Sequence, residues 1–266
     1  MAASWEETAR REAEAAWANE CIGWCALGRA PEARGMYRVV REAGCVVVRP
    51  DERAIPGLPA MVIVERADGD VPARLVRALR ALGPDPRPQY LSLPPVGDVK
   101  PWIDAARGLG FLKDTVQVLM TCPLAGRTAT VPETAASISV VAAESDTDRK
   151  AALSVVQEVF RDPKGLTEFY NPRDVVRLYL VRVRGEPAAA AAMWPFGGVA
   201  GVYSVGTRPP FRRRGLAYAA VERILADAAR EGFSLASLRT TGDLQRLYRR
   251  HGFRARGRVL RLRRTL

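Results

Sequence analysis

The residues best suited to chemistry lie in a short loop in the second half of the chain. Alternating residues 199–207 predict a strand, a helical pattern begins at Leu216, and Arg212-Arg213-Arg214-Gly215 lies between the two. The unpaired amides in the first turn of a helix attract anions, and small residues let a phosphate approach the backbone. Gly215 and Ala217 supply that space. The loop is therefore a candidate phosphate-binding site.

The elements after this loop form an ordered series. The helix that starts at Leu216 is expected to end at Gly232, and residues 235–238 then predict a strand. A short helix over residues 243–250 carries Tyr248, shortly before Gly252-Phe253. The predicted order is thus strand, loop, helix, strand and a short helix that carries Tyr248.

The pattern Arg212-x-x-Gly215-x-Ala217 between a strand and a helix resembles the pyrophosphate-binding motif of the GNAT (GCN5-related N-acetyltransferase) superfamily. The segment from Tyr248 to Gly252-Phe253 also resembles this family, in which the closing helix often carries a Tyr shortly before Gly-Phe. The resemblance covers residues 138–266, approximately. It implies a transferase that uses acyl-CoA, with acetyl-CoA as the most plausible cosubstrate. The acyl group would pass to a primary amine by direct attack, through a tetrahedral intermediate.

The resemblance also implies roles for single residues. The backbone of residues 205–207 would run beside the pantetheine arm, and an N–H near Val205 would stabilise the oxyanion. Tyr248 would protonate the departing thiolate, since a phenol with a pKa near 10 and a thiol near 8.5 are reasonably matched. The predicted cosubstrate-binding set is Val205, Gly206, Thr207, Arg212, Arg213, Arg214, Gly215, Leu216, Ala217 and Tyr218, with Tyr248 as the predicted catalytic residue.

The general base is not assigned by position. Many family members carry a Glu near the strand before the loop, but here the polar side chains of that strand are Tyr203, Ser204 and Thr207. A water chain could take the proton of the amine, and the candidate carboxylates are Glu158, Asp162 and Glu168. His251 follows the short helix and is predicted to be a poor base, because its charge would favour the helix C-terminus.

The first half predicts a smaller version of the same fold. Residues 5–27 have the spacing of an amphipathic helix, and apolar runs at 45–48, 60–64, 90–93 and 115–120 predict strands. Gly110-Phe111 repeats the Gly252-Phe253 ending, but Ala106 takes the place of Tyr248 and no complete phosphate loop precedes it. This half is therefore predicted to be degenerate and not to catalyse.

The expected architecture is α+β, a mixed α/β fold of two GNAT-like domains, each with a twisted mixed central sheet flanked by helices. Residues 1–131 would form the degenerate N-terminal domain and residues 137–266 the catalytic domain. Between them, a Thr-, Pro-, Ala- and Ser-rich segment suits a linker.

The net charge and the hydropathy of the chain limit which binding partners are expected. A formal net charge of +12 favours anions such as coenzyme phosphates, nucleic acid or acidic surfaces. Arginines over 254–264 alternate with apolar residues, as on the exposed face of an edge strand, so nucleic acid is not the expected partner. No run is long enough to span a membrane, and no signal peptide is visible, which predicts a cytoplasmic protein without a membrane partner.

Cys21, Cys25, Cys45 and Cys122 are expected to remain thiols, and with His251 as the single histidine no metal site is expected. Two alternatives stay open: a regulatory module that binds acyl-CoA without transfer, and an acetyltransferase associated with RNA. The acceptor, the acyl chain length and the oligomeric state also stay open.

Overall fold

The structure is a computed structural model that describes residues 4–33, 35–51, 60–85, 87–127, 137–161, 170 and 172–265. The strands are β1 (Tyr37–Glu42), β2 (Cys45–Pro50), β3 (Ala60–Val64), β4 (Gln89–Leu93), β5 (Leu112–Pro123), β6 (Ile138–Ala142), β7 (Arg177–Val183), β8 (Glu186–Phe196), β9 (Val199–Thr207), β10 (Leu235–Thr240) and β11 (Arg254–Arg264). The helices are α1 (Trp5–Leu27), α2 (Val71–Leu82), α3 (Lys100–Gly108), α4 (Asp146–Phe160), α5 (Leu216–Arg230) and α6 (Gln245–Arg249).

These eleven strands form one open mixed sheet in the order β1-β2-β3-β4-β11-β5-β10-β9-β8-β7-β6. Each half contains one parallel pair, β3 with β4 and β9 with β10, and the other neighbours are antiparallel. The mixed α/β class predicted from the sequence is confirmed. The sequence predicted a central sheet for each half, and the structure joins the two into one.

The junction between the halves is an exchange of strands. The last strand, β11, lies between β4 and β5 of the first half, and β5 in turn pairs with β10 of the second half from Leu235↔Pro123 to Thr240↔Val118. Backbone hydrogen bonds therefore tie the two halves together along three strand pairings, β4 with β11, β11 with β5 and β5 with β10. Residues 128–136 lie outside the described residues, so the predicted linker and domain boundaries stay predictions.

Helices cover both faces of the second half. Along β8, Ala190, Ala192 and Trp194 join the cluster that contains α1 and α4, whereas Ala189, Ala191 and Met193 join the cluster that contains α5. Period-two alternation explains this division. The alanine run, which propensity alone allows as a helix, is thus a strand buried on both faces.

Most other elements agree with the sequence. The structure places α1 over the predicted residues 5–27 and β9 over the predicted residues 199–207. Strand β1 was not predicted, because only Tyr37 in it is buried and the other residues are partly or fully exposed. None of the described helices is long and apolar enough to cross a membrane.

Candidate functional site

A gap opens in the sheet between β9 and β10. The two strands pair at only three positions, the last being Ser237↔Gly201. Beyond that point β9 continues to Thr207 without pairing to β10, which stays paired to β5 as far as Thr240. Crevices at the carboxyl ends of parallel strands are the usual ligand sites of open α/β sheets.

A bulge interrupts β9 inside this gap. Ala190 pairs with Gly206, but Ala192 pairs with Tyr203, so Ala191 of β8 faces two residues, Ser204 and Val205. Ser204 has a φ of 47°, in the left-handed region that is unfavourable for residues other than glycine. A bulge of this kind bends the strand and removes backbone groups from the ladder. The interruption lies where the sequence predicts a free N–H near Val205.

The predicted loop leads from β9 into α5. Arg213 and Gly215 both have positive φ values, 61° and 76°, and Arg212 Nε donates to the Thr207 carbonyl oxygen at 3.2 Å. Gly215 is the N-cap of α5 and makes no side-chain hydrogen bond to its first turn. The amides of that turn are thus left without a capping side chain, as an anion site requires.

A cleft of about 500 Å³ opens at this helix terminus. Its walls are Thr207, Arg212, Arg213, Gly215, Leu216, Ala217, Tyr218, Leu247 and Arg250. Seven of these belong to the predicted cosubstrate-binding set, and Leu247 and Arg250 were missed because they come from the distant helix α6 and the residue after it. Of the predicted residues outside the walls, Arg214 lies over the Phe211 ring, 5.7 Å from its centroid.

Gly206 has a packing role that the sequence did not predict. A Cβ atom added there would lie 2.8 Å from Val159 Cγ1 and 3.3 Å from the Phe160 ring, both on α4. Glycine is therefore required for the close approach of α4 to β9. Its predicted place beside the pantetheine arm stays a prediction.

Tyr248 lies on the same side of the sheet as the loop helix. It is 8 % exposed and shares a cluster with Leu216 and Leu238, against which Val205 also packs. Its ring meets Phe253 edge-on, with centroids 6.2 Å apart. Burial raises the pKa of Tyr248, so the phenol keeps its proton at neutral pH.

His251 belongs to a buried polar cluster under the loop. Its Nδ1 lies 2.6 Å from Glu222 Oε1, and its ring stacks on Tyr218 at 4.1 Å. Arg127, from the first half, contacts the other Glu222 oxygen and donates to the His251 carbonyl oxygen. Burial opposes ionisation of Glu222, but the hydrogen bonds from His251 and Arg127 outweigh it and lower the pKa of Glu222.

The sequence predicts His251 only as a charge at a helix end, whereas the structure pairs it with the buried carboxylate of Glu222. Glu222 follows Tyr218 by four residues, so the two share one face of α5. That spacing is the signal that could have revealed the cluster.

The predicted general bases gain little support. Glu158 is half exposed and pairs with Arg208 at 2.9 Å. Asp162 and Glu168 lie outside the described residues. Instead, the structure places a buried carboxylate that the sequence did not single out, Glu20 of α1, against Arg239 of β10 at 2.8 Å.

No metal centre is found in the part of the chain that the structure describes, because no three His, Cys, Asp or Glu side chains lie close enough together there. All four cysteines are free thiols. Burial raises the pKa of Cys122, the thiol beside the His251 cluster.

Comparison with known proteins defines the class. Residues 147–253 match the model of the acetyltransferase (GNAT) family. The GCN5-related N-acetyltransferase from Kribbella flavida superposes with a TM-score of 0.71 at 20 % identity, and 95 % of each chain is covered. Residues 147–253 therefore form a GNAT-family domain, and the chain as a whole has a GNAT fold.

Two further structures extend the likeness over both halves. A tandem GNAT protein from the clavulanic acid biosynthesis pathway matches 83 % of this chain and 78 % of its own at 15 % identity, with a TM-score of 0.58. A GCN5-related N-acetyltransferase from Sphaerobacter thermophilus has the same TM-score at 17 % identity, over 84 % of this chain and 80 % of its own. No curated protein matches the chain significantly. The first half is thus GNAT-like in fold.

Proposed function

We propose that the protein is an acyl-CoA-dependent N-acyltransferase, with acetyl-CoA as donor and a primary amine as acceptor. The observation that carries this proposal is the uncapped terminus of α5 at the mouth of the gap between β9 and β10. A GNAT-family domain over residues 147–253 supports the same reaction class.

The cleft suits a pyrophosphate. Backbone amides of the first turn of α5 supply donors and the positive end of the helix dipole, and three guanidinium groups, Arg212, Arg213 and Arg250, line the walls. Guanidinium groups bind phosphate oxygens through paired hydrogen bonds. The cleft therefore offers both neutral and charged donors to the two phosphates.

The gap suits an extended chain. Residues 202–207 of β9 have no β10 partner, so their backbone can pair with a pantetheine arm as with an added strand. The bulge at Ser204 and Val205 turns one N–H away from the ladder. Such a donor contributes roughly 3 to 4 kcal/mol to stabilising an oxyanion in other enzymes.

Tyr248 supplies the proton in the last step. The amine nitrogen forms a bond to the thioester carbonyl carbon, the C–S bond breaks, and the sulfur takes the phenolic proton. The alkylammonium ion loses one proton to solvent before it attacks. The nitrogen of the tetrahedral intermediate loses a second proton, which returns to the Tyr248 phenolate through solvent, and the product amide keeps the third. The raised pKa of Tyr248 keeps it in the donor form until the thiolate develops.

The experiment is a calorimetric titration of the protein with acetyl-CoA, with Gly215→Glu and Gly185→Glu as variants. Both glycines have positive φ and open space around the missing Cβ, but Gly185 lies in the β7–β8 turn. Micromolar binding by the wild type and by G185E, lost in G215E, is the expected result. No binding by the wild type to acetyl-CoA or longer acyl-CoAs would remove the proposal.

Catalysis is tested separately by thiol release from acetyl-CoA across a panel of amines. Turnover is expected with at least one primary amine. Tight binding without thiol release across a broad panel would instead identify a regulatory module.

A further inference from the structure

The first half contacts the second half through a turn that follows β5. Leu124 joins the buried cluster that contains residues of α5 and Tyr248, and its N–H donates to the Ser234 carbonyl oxygen at 3.0 Å. Arg127 N in turn donates to the Leu124 carbonyl oxygen at 3.0 Å. The backbone of Arg127, a residue of the first half, is therefore fixed against the second half.

The side chain of Arg127 bridges two elements of the second half. Its Nη2 contacts Glu222 Oε2 on α5, and its Nη1 donates to the His251 carbonyl oxygen, just after α6, at 3.1 Å. The Arg127 side chain is 22 % exposed and that of Glu222 is 10 % exposed. A planar guanidinium group can bind two acceptors at once in a fixed geometry. Arg127 therefore holds the end of α6 at a set distance from α5.

The backbone at His251 belongs to the same hydrogen-bonded turn as Tyr248. His251 N and Phe253 N both donate to the Tyr248 carbonyl oxygen, at 3.0 and 3.3 Å. A second side chain of the first half, Cys122, donates from Sγ to the His251 carbonyl oxygen at 3.4 Å. A displacement of the His251 backbone would thus be transmitted directly to Tyr248.

The imidazole of His251 continues the bridge toward the cleft. Its Nδ1 lies 2.6 Å from Glu222 Oε1, and its ring stacks on Tyr218, which lines the cleft. The lowered pKa of Glu222 keeps the carboxylate ionised at neutral pH, so His251 Nδ1 is the donor. Each oxygen of Glu222 thus has its own donor, and one carboxylate connects α5, α6 and the first half.

Helix α6 depends on such contacts for its place. It has only five residues and no side-chain cap, and helices this short are not stable by themselves. The ring of Tyr248 is buried and meets Phe253 edge-on, contacts that fix the ring relative to β11. The distance from its hydroxyl group to α5 is set by the bridge through Arg127 and Glu222.

We propose that Arg127 of the first half is a positioning residue that holds the Tyr248 hydroxyl group within reach of the departing sulfur. This inference rests on the proposed acyl transfer, in which Tyr248 protonates the thiolate. Arg127 acts through Glu222 and the His251 backbone, so it is not a catalytic residue. The first half, which has no phosphate loop of its own, thereby takes part in turnover.

The physical reason is geometric. Proton transfer needs the donor and acceptor atoms within hydrogen-bond distance, and a misplacement of about 1 Å can lower a rate by about a hundredfold. Coenzyme affinity depends instead on the amides and guanidinium groups that line the cleft, and Arg127 is not one of them. Loss of Arg127 should therefore lower kcat more than acetyl-CoA affinity.

The test uses Arg127→Met, alone and combined with Tyr248→Phe, and Arg256→Met as the matched control. Arg256 of β11 pairs with Glu12 of α1 at 2.8 Å, with side chains 5 % and 13 % exposed. This is also a buried arginine–glutamate pair between the halves, but it lies on the α1 face of the sheet. Thermal unfolding and acetyl-CoA titration establish that each variant folds and binds the donor.

Turnover is measured as thiol release from acetyl-CoA, with the primary amine that gives the fastest wild-type rate. R127M is expected to lower kcat by about tenfold and to change acetyl-CoA affinity by less than about threefold. In the Y248F background the same substitution should change kcat by less than about twofold, because the proton donor is already absent. R256M should leave kcat unchanged.

A second variant, Arg127→Lys, answers the case in which R127M fails to fold. Lysine keeps a cation beside Glu222 but does not bridge two acceptors as the planar guanidinium does, so kcat is expected to fall with affinity retained. A second measurement needs no acceptor. In protein labelled with ¹³C at tyrosine Cζ, the Tyr248 resonance, assigned by its loss in Y248F, should shift in the Arg127 variants but not in R256M.

Three results would overturn the inference: wild-type kcat in the Arg127 variants, a loss that persists in full in the Y248F background, or an unchanged Tyr248 resonance. Each leaves the proposed acyl transfer standing. A wild type that binds no acetyl-CoA, or that releases no thiol with any amine, contradicts the proposed function itself and this inference with it.

Discussion

Both halves contain a parallel strand pair with a loop and a helix between its strands, yet the two helix termini have opposite chemistry. In the first half Asp70 caps α2, and its Oδ1 accepts a hydrogen bond from Ala73 N at 3.2 Å. Arg74 fills the loop by donating to the carbonyl oxygens of Ala43, Gly44 and Arg66. In the second half Gly215 caps α5 with no side chain.

The strand–loop–helix arrangement alone therefore does not make an anion site. A carboxylate at the N-cap occupies a first-turn amide and repels phosphate, and a guanidinium that is held by carbonyl oxygens leaves little space. Seven residues after the cap, α2 has Arg77, whereas α5 has Glu222. The first-half terminus is thus occupied by its own residues.

The largest expected effect concerns Tyr248 on α6, which has no counterpart in the first half, where Ala106 takes its place. Tyr248→Phe should lower turnover by about a hundredfold or more and leave acetyl-CoA affinity nearly unchanged, because only the proton transfer is lost. Steady-state thiol release and calorimetry measure the two quantities.

The control for this change is Tyr90→Phe on β4 of the first half. The ring of Tyr90 lies under the guanidinium group of Arg261 from β11. The substitution should change neither quantity. An unchanged rate for Y248F would remove the acid role.

A second pair of changes separates stability from binding. Asp70→Ala and Gly215→Ala should each lower the free energy of unfolding by about 1 kcal/mol, the first through a lost cap and the second because alanine is strained at φ 76°. Only G215A should weaken acetyl-CoA binding. Urea unfolding and calorimetry check both expectations, and weaker binding in D70A would contradict the contrast between the termini.

The smallest expected effect is the pH dependence of the cluster below α5. The pKa of Glu222 is lowered from 4.5, so its contribution to stability is present above that pH and is lost as the pH falls through the folded value. The wild type should exceed Glu222→Gln in free energy of unfolding at neutral pH, and the advantage should shrink by about 1 kcal/mol or less in acid.

The control is Glu14→Gln, which removes an exposed partner of Arg10. Urea unfolding at several pH values should show no comparable trend for it. A wild-type advantage that grows as the pH falls would have the wrong sign for this account.

The sequence predicted those features that depend on near neighbours. Residues 199–207, the Arg212 to Ala217 loop and the helix after it follow local patterns, and the structure places all three as expected. The position of the bulge at Ser204 could not be predicted, because no residue type marks it; the sequence analysis expected only a free N–H near Val205.

Features that depend on distant residues could not be predicted. Strand β11 pairs with both β4 and β5, and the sequence alone does not indicate which strands will be neighbours in the sheet. Arg127 meets Glu222 across 95 positions, and Glu20 meets Arg239 across more than twice that separation. The periodicity of apolar residues and the composition predict which side chains are buried, but they do not predict which distant residues those side chains contact.

If the contrast between the two helix termini is correct, the terminus of α5 binds the coenzyme and the terminus of α2 does not. The most direct measurement is the stoichiometry of acetyl-CoA binding, by calorimetry on the wild type and on the variant Asp70→Gly/Arg74→Ala. The account predicts one molecule for each wild-type chain, with affinity unchanged by opening the first-half terminus. Two equal sites in the wild type, or a loss of affinity when only Asp70 and Arg74 are changed, would contradict it.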